Sequence, residues 1–370
     1  MVNAETGKRF GRSLDPDTNG YTSESFEEGT VGLDMTLSLF EGFSRINQVR
    51  FRKMNKERSE WELKEKQNEL AYQVTDAYYK LILERKSLDL ALEQSRLSER
   101  YLKQTEVFVE LGLKSASDLQ EVKARREGDI YRYQSRGNSS RIALLHLKQL
   151  MNIQPGDTLA ILDTITASQV PPYSVSTVET LYAQSIEILP SIRMIDLKQK
   201  AAHKEYAIAG GAFSPSVFAR FTVGSNYYNT AFSARQLRDN IGKYVGVGIS
   251  FPLLSGLQRL TNQRKLKLNM YRLKNEEELE KQQLYTDIEQ TLLSLHTGYS
   301  EHQQALSQLD AETLVLKESE RKWEEGLISV FQLMEARNRF IAAKAELVRV
   351  RLQIEMMMKL EKYYRQGTFL

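Results

Sequence analysis

The sequence has no cysteine, 7 prolines and 20 glycines in 370 residues, and no run of 18 apolar residues. The lack of cysteine excludes disulfides and thiolate metal sites. The lack of a long apolar run excludes a transmembrane helix. Because helix-breaking residues are scarce, we expect most of the chain to be helical.

The charge balance and the motif content also exclude several functions. With 51 basic and 48 acidic residues, the net charge of +3 gives no support for a nucleic-acid partner. The chain contains no glycine-rich phosphate loop, nucleophile elbow or His-Glu-x-x-His motif. Metal-ligand spacing is also missing among the four histidines, His146, His203, His296 and His302. We therefore predict a protein that is not an enzyme and has no cofactor or metal.

One long helix organises the rest of the chain. Its predicted span, Leu257–Glu325, covers 69 residues with no proline and a single glycine, Gly298. At 1.5 Å per residue this is roughly 100 Å of helix. A helix of this length needs partner helices to bury its apolar stripe. A strand pattern precedes it, and a Gly-Leu turn at Gly326 follows it.

An internal repeat appears when the chain is shifted by 214 residues. Gly112-Leu113 then falls on Gly326-Leu327, and Val31-Gly32-Leu33 falls on Val245-Gly246-Val247. Because no insertion separates these matches, the two intervening helices have equal length, which indicates two copies of one unit. We predict a first repeat at 1–151, a connector at 152–174 and a second repeat at 175–370.

The second repeat has one part that the first lacks. A helical arm from about 175 to 209, interrupted at Pro190, precedes the residue that aligns with Met1. We therefore expect the corresponding arm, and an export signal, to lie upstream of this chain.

The remaining helices form hairpins with the long ones. In the first repeat a helix from about Ser44 to Leu111 is followed by a return over Ser117–Met151, and the second return covers Ser329–Arg365. Apolar and small residues recur with heptad-like spacing along both long helices and predict their buried seams. The seam residues are Leu70, Val74, Ala77, Leu81, Leu88, Ala91 and Leu102, and then Leu284, Ile288, Thr291, Leu295, Gly298, Ala305, Leu309 and Leu316.

Four segments read as strands of about nine or ten residues: Val2–Phe10, Val31–Leu39, Ser216–Ser225 and Val245–Leu253, with a polar loop over Gly11–Thr30. That length suits a tilted strand crossing a bilayer. Four strands cannot close a barrel, so the chain would have to oligomerise. A small amphipathic sheet packed on a soluble helical body is the alternative. The lipid-facing residues would be Val31, Leu33, Met35, Leu37, Leu39, Val245, Val247, Ile249, Phe251 and Leu253, with Tyr227, Tyr228 and Tyr244 as flanking interface aromatics.

Taken together, these features resemble the TolC family of outer-membrane efflux proteins. The motifs are Leu39-Phe40-Glu41-Gly42, Leu189-Pro190, and the segments 112–119 and 326–333. The resemblance implies a mainly α fold with a small antiparallel β part, in which duplicated coiled-coil hairpins form an α-barrel tunnel. It also implies a homotrimer whose strands complete a twelve-stranded barrel in outer-membrane lipid, with the tunnel extending into the periplasm.

For function, the resemblance implies a passive export duct of a tripartite efflux or secretion system, opened when a periplasmic adaptor and an inner-membrane pump engage the helical tips. A non-conducting periplasmic coiled-coil scaffold is the alternative. The expected adaptor contacts are the tip residues Gly112, Leu113, Lys114, Ser115, Gly326, Leu327, Ile328 and Ser329.

Asp118 and Gln332 are the candidate gate residues, since similar proteins often place an aspartate there. Both also fit capping boxes, with Ser115 and Ser329 as the N-caps, so a purely structural role stays open. Lys114 and Ile328 have no capping role and are therefore the better adaptor contacts.

Two further segments have open interpretations. The stretch from Asp15 to Gly20 begins like a calcium loop, but Phe26 occupies the twelfth position, which favours a surface turn. Basic residues recur where strand passes into helix, and they fit either lipid phosphates or a solvated helix face. These residues are Arg45, Arg50, Arg52 and Lys53, and then Arg259, Arg264, Lys265 and Lys267.

Overall fold

The structure is a computed structural model that describes the chain except residues 15–18, 24, 155, 163–169, 171–175, 230, 231, 233, 253–256 and 370. It divides into two compact units. The strand unit comprises Met1–Arg58 and Ile195–Glu276, and the hairpin unit comprises Ser59–Met194 and Glu277–Leu370. None of the described helices combines the length and apolar character needed to cross a membrane.

The strand unit contains a four-stranded antiparallel sheet in the order β1-β4-β5-β6. Its strands are β1 (Val2–Arg9), β4 (Phe26–Glu41), β5 (Ser216–Asn229) and β6 (Gly242–Ser250). A second, two-stranded sheet pairs β2 (Ser13–Leu14) with β3 (Tyr21–Thr22), and the short helix α5 covers Ala234–Asp239. The prediction of four strands is confirmed.

The predicted strand lengths were wrong for the two inner strands. β4 has 16 residues and β5 has 14, because their pairing continues past Val31 to Glu27 opposite Asn229. The predicted loop over Gly11–Thr30 is therefore also wrong, since it contains β2, β3 and the start of β4. Burial of Phe26, whose ring stacks 4.8 Å from that of Tyr228, holds this extension in place.

The register of the sheet places apolar residues from adjacent strands on one face. Leu33 lies opposite Val223, and Met35 lies opposite Phe221, which in turn lies opposite Val245. Directly opposed residues of an antiparallel pair share a face. The opposite face includes Asp34, whose Oδ1 accepts a 2.8 Å hydrogen bond from the hydroxyl of Thr222.

The two long helices are α1 (Ser44–Glu110) and α6 (Gln258–Glu324), each of 67 residues. Their bounds differ by 214 residues at both ends. Each helix follows a residue in the left-handed region, Phe43 at φ 61° and Leu257 at φ 63°. The same shift that aligns the sequence therefore aligns the helices and the turns that precede them.

The remaining helices are α2 (Ala116–Leu150), α3 (Val178–Ile188), α4 (Pro190–Gly211) and α7 (Val330–Gln366). The break between α3 and α4 lies at Leu189, whose ψ of 135° is extended. A proline disfavours helical geometry in the residue before it, so Pro190 ends α3 and then begins α4.

The hairpin unit has a continuous apolar core. Residues of α3, including Leu181, pack against Ile288 and Leu295 of α6 and Ile354 of α7. Most residues of the predicted seams are buried or half-buried, but Leu70 is 47% exposed, so its assignment to a buried seam was wrong for the single chain. The buried members of the two seams are Ala77, Leu81, Ala91, Leu284, Ile288, Thr291, Leu295, Gly298 and Ala305.

Candidate functional site

The first tip, residues 108–118, joins α1 to α2 in the hairpin unit. Gly112 has a φ of 73°, and the amide of Leu113 donates to the carbonyl of Phe108 at 2.8 Å. This is the glycine-dependent helix ending that the Gly-Leu pattern predicts. Ser115 then caps α2: its hydroxyl accepts from the amide of Asp118, and the Asp118 carboxylate accepts from the amide of Ser115 at 2.9 Å.

The second tip, residues 322–332, repeats this geometry between α6 and α7. Gly326 has a φ of 78°, and the amide of Leu327 donates to the carbonyl of Lys322 at 2.8 Å. Ser329 caps α7, and the side-chain oxygen of Gln332 accepts from the Ser329 amide at 3.0 Å. The backbone of the two tips is therefore equivalent.

The structure brings the two tips together. The Nζ of Lys114 donates to the carbonyl of Ile328 at 3.3 Å. Beneath this contact, the buried side chain of Trp323 packs with Val330 and Phe108 in one apolar cluster. Lys114 and Ile328 therefore join one tip to the other, and their contact with an adaptor stays a prediction. This pairing depends on the folded arrangement of residues 214 positions apart, which no local motif reveals.

Four large apolar side chains are exposed at the tips. Leu113 and Leu327 are 66% and 68% exposed, and Leu111 and Phe331 beside them are also exposed. Sequence reasoning missed Leu111 and Phe331. The signal available was that both flank a glycine turn without a capping role. These four residues form an exposed apolar surface at the tips, which is typical of a protein contact site.

Asp118 and Gln332 occupy equivalent positions and differ in charge. Hydrogen bonds from the backbone and then the hydroxyl of Ser115 lower the pKa of Asp118, so its carboxylate stays ionised. That carboxylate is engaged in capping. Gln332 is neutral and makes the same contacts to Ser329. Only the first tip therefore has an acidic residue at this position.

A buried polar network lies behind the tips. The carboxylate of Asp129 on α2, 1% exposed, accepts hydrogen bonds from the hydroxyl of Ser98 and from Nη1 of Arg132 at 3.2 Å. Arg337 on α7, also 1% exposed, donates to the Ser98 hydroxyl at 3.4 Å and to the carbonyl of Gln94. Burial lowers the pKa of Arg337. The network therefore joins α1, α2 and α7.

The candidate lipid-facing residues lie on the strand unit. Val31, Leu33, Met35 and Leu37 on β4 and Val245, Val247 and Ile249 on β6 are all exposed. Phe251 is exposed but follows the end of β6, and Leu253 lies outside the described residues. The pairing register shifts between Ser38 and Phe40, so Leu39 has no partner on β5, but its side chain is exposed like those of the other candidates on β4.

The three tyrosines expected to flank the strands lie within them instead. Tyr227 is buried on β5, where its hydroxyl forms a hydrogen bond with that of Thr6 at 2.5 Å. Tyr228 is also in β5, while Tyr244 is exposed on β6.

Residues 15–18 of the calcium-like loop are not described. In the part of the chain that the structure covers, no three His, Asp or Glu side chains are grouped to hold a metal.

A narrow antiparallel sheet with an exposed apolar face, together with long paired helices that end in glycine turns, is the fold that this chain shares with solved outer-membrane channels. The CmeC outer membrane channel of Campylobacter jejuni matches with a TM-score of 0.80 and 12% identity over 99% of this chain and 78% of that one. The outer membrane protein VceC of Vibrio cholerae matches with a TM-score of 0.80 and 15% identity over 100% of this chain and 88% of that one.

The open-state MtrE outer membrane channel of Neisseria gonorrhoeae matches with a TM-score of 0.75 and 16% identity, over 100% of this chain and 80% of that one. No curated protein sequence matches the chain significantly. The family model for outer membrane efflux proteins matches residues 6–152 and 181–356. The chain therefore belongs to the outer membrane efflux protein family. Members of this family are channels and not enzymes, so the predicted resemblance, fold class and lack of catalysis are confirmed.

Proposed function

We propose that this chain is one subunit of a trimeric export duct in the outer membrane, which couples no energy itself and opens when an adaptor and a pump engage its tips. The observation that carries the proposal is the open sheet. Its edge strands, β1 and β6, each have one neighbour in the order β1-β4-β5-β6. An exposed edge with an exposed apolar face is unfavourable for an isolated protein.

Assembly of three copies would remove both the free edge strands and the exposed apolar face. Pairing β6 of one subunit with β1 of the next would give twelve strands with no free edge, and the apolar face would then contact lipid. The 214-residue shift that relates α1 to α6 supports two repeats, 1–151 and 175–370, joined by the connector 152–174. Each subunit would therefore contribute two equivalent hairpins to the periplasmic tunnel.

Cysteine crosslinking tests the trimer directly, because the natural chain has no cysteine. Ala4→Cys on β1 is combined in turn with Val245→Cys, Val247→Cys and Ile249→Cys on β6, all on the apolar face. We expect at least one pair to yield covalent trimers in outer-membrane fractions. The matched control pairs Ala4→Cys with Ala219→Cys on the inner strand β5. Monomers from every β6 pair would contradict the proposal.

Conductance tests the duct. The purified protein should give stepwise currents in a planar bilayer, and a silent, water-soluble protein would instead favour a non-conducting scaffold.

The exposed apolar tip surface, with Lys114 beside it, supports adaptor docking. Lys114→Glu should weaken crosslinking to the adaptor, because it reverses a charge at the tip and removes the donor to the Ile328 carbonyl. Lys114→Gln is the control, since an amide can still donate to that carbonyl. Equal crosslinking by wild type and Lys114→Glu would remove this residue from the contact.

A further inference from the structure

Two stretches of the strand unit carry positive charge without any acidic residue. From Ser44 to Lys56 the start of α1 has five basic residues, and from Gln258 to Asn275 the start of α6 has six. The next acidic residues are Glu57 and Glu276. We call these the first and second basic collars. Their members are Arg45, Arg50, Arg52, Lys53 and Lys56, and then Arg259, Arg264, Lys265, Lys267, Arg272 and Lys274.

Within the part of the chain that the structure describes, the central residues of both collars lack the ion pairs that are common elsewhere on the same helices. Further along α1, Lys66 pairs with Glu69 at 2.7 Å and Lys80 pairs with Asp76 at 2.6 Å. On α6, Lys281 pairs with Glu277 at 2.6 Å.

The collars are different. Arg45 lies 3.6 Å from Glu41, and Arg272 lies 4.0 Å from Glu276. The central residues of each collar are exposed and have no carboxylate within 4 Å among the described residues. These are Arg50, Arg52 and Lys53, and Arg264, Lys265 and Lys267. A merely solvated helix face would be expected to mix both signs of charge, as the rest of these helices does.

Exposed apolar residues accompany the collars. Phe43, Ile46 and Val49 are exposed at the start of α1, as are Leu257 and Leu268 at the start of α6. On the chain, each collar follows a strand that contributes to the exposed apolar face of the sheet. Along α1 the chain passes from the strand through exposed apolar residues to the central cations, which is the order of groups met at a membrane interface, from acyl chain to headgroup. Along α6, Leu257 precedes the central cations and Leu268 directly follows them, so apolar and basic groups are adjacent there too.

We propose that the two basic collars bind the phosphate groups of anionic phospholipids at the membrane surface. This inference rests on the proposed membrane location of the sheet. Each collar offers two side-chain chemistries for a lipid phosphate: arginine can bind it with two parallel hydrogen bonds, and lysine contributes a compact positive charge. Lipid binding would fix the depth in the membrane at which the strands end and the long helices begin. It would also make retention of the protein in the membrane depend on acidic lipid.

Lipid binding to the full chain in mixed micelles tests the proposal, with phosphatidylglycerol as the acidic probe and phosphatidylcholine as the neutral one. Two triple variants neutralise the collars: Arg50→Gln, Arg52→Gln and Lys53→Gln, and Arg264→Gln, Lys265→Gln and Lys267→Gln. The control, Lys66→Gln, Lys80→Gln and Lys281→Gln, removes the same charge from residues that already have acidic partners. Native mass spectrometry counts the retained lipids, and circular dichroism verifies folding.

We expect each collar variant to lower the affinity for phosphatidylglycerol by about tenfold or more, while the control changes it less than threefold. Affinity for phosphatidylcholine should stay the same in all variants. Equal losses in collar and control variants, or no preference of the wild type for the acidic lipid, would overturn the inference. Conductance separates the two proposals. A conducting wild type without lipid preference refutes only the collars, and a collar-dependent lipid preference in a non-conducting protein refutes only the duct.

Discussion

Removing the carboxylate of Asp129 should weaken the hairpin unit more than removing the buried cation of Arg337. Asp129 accepts hydrogen bonds from Ser98 and Arg132, and its oxygen also lies 3.8 Å from Nε of Arg125. Arg337 is fully buried, its Nε has no hydrogen-bond partner among the described residues, and burial lowers its pKa. In Asp129→Ala this guanidinium would remain buried without the carboxylate of Asp129, and only the more distant influence of Glu93 would remain.

The magnitudes follow from burial. Breaking a buried ion pair by removing one member costs about 3–5 kcal/mol. Arg132 is half-exposed and can regain water, so we take the lower end, about 3 kcal/mol, for Asp129→Ala. Arg337→Met removes a costly buried charge along with its hydrogen bonds, so we expect a loss of about 1 kcal/mol or less. The double variant should lose less than the sum, because the two groups share Ser98.

Hydrogen exchange on the full chain in detergent measures the effect where it should occur. A local loss of about 3 kcal/mol corresponds to a fall of roughly 100-fold in the protection of α2 amides around Asp129. Arg337→Met should lower protection by less than about tenfold. Similar protection in wild type and Asp129→Ala, or a larger loss in Arg337→Met than in Asp129→Ala, would refute the reasoning.

Three further predictions concern the tips and the sheet. The lowered pKa of Asp118 means that its carboxylate stabilises the first tip above its ordinary pKa of 3.8, and that this contribution is lost as pH falls through the lowered value. In acid, amide hydrogen exchange at the first tip should therefore become faster relative to the intrinsic exchange rates of an unfolded chain. The second tip is capped by neutral Gln332, so its exchange relative to those rates should not change with pH and serves as an internal control. Gly112→Ala should destabilise the hairpin unit by about 1 kcal/mol in thermal melts, because φ at this position is 73°. Gly128→Ala lies inside α2 with open space around it, and in the same melts it should stabilise the unit by up to about 1 kcal/mol. Gly248→Ala would bring a methyl group to 2.5 Å from the Phe218 ring and should cost about 1–3 kcal/mol of sheet stability, measured by the temperature at which β-structure is lost. The control is Gly32→Ala, where the nearest contact of the added methyl group is 3.5 Å. Equal effects of the two substitutions would contradict the packing argument.

Local signals in the sequence predicted the helices well. The bounds of α1 and α6 followed from a strict spacing of glycine turns, and the caps at Ser115 and Ser329 followed from a pattern of four residues. Each of these features depends on neighbours along the chain, so a local pattern is sufficient to locate it.

Features set by distant contacts were missed. The first five residues of β4 are in a strand because they pair with β1, and four of them, Glu27 to Thr30, also pair with residues near Tyr228, about 200 positions away. The burial of Arg337 depends on Ser98 and Gln94, on another helix. The contact from Lys114 to Ile328 likewise joins residues 214 positions apart. Tertiary packing, rather than propensity, decides such positions.

The two capping boxes have a consequence for specificity. The chain has two turns of the same backbone shape, one capped by a negative carboxylate at Asp118 and the other by a neutral amide at Gln332. A partner protein that contacts only the main chain would bind both turns equally well, whereas a partner with a cation at the contact would bind the turn at Asp118 more tightly. Binding specificity for a partner protein could therefore change at one turn without changing at the other.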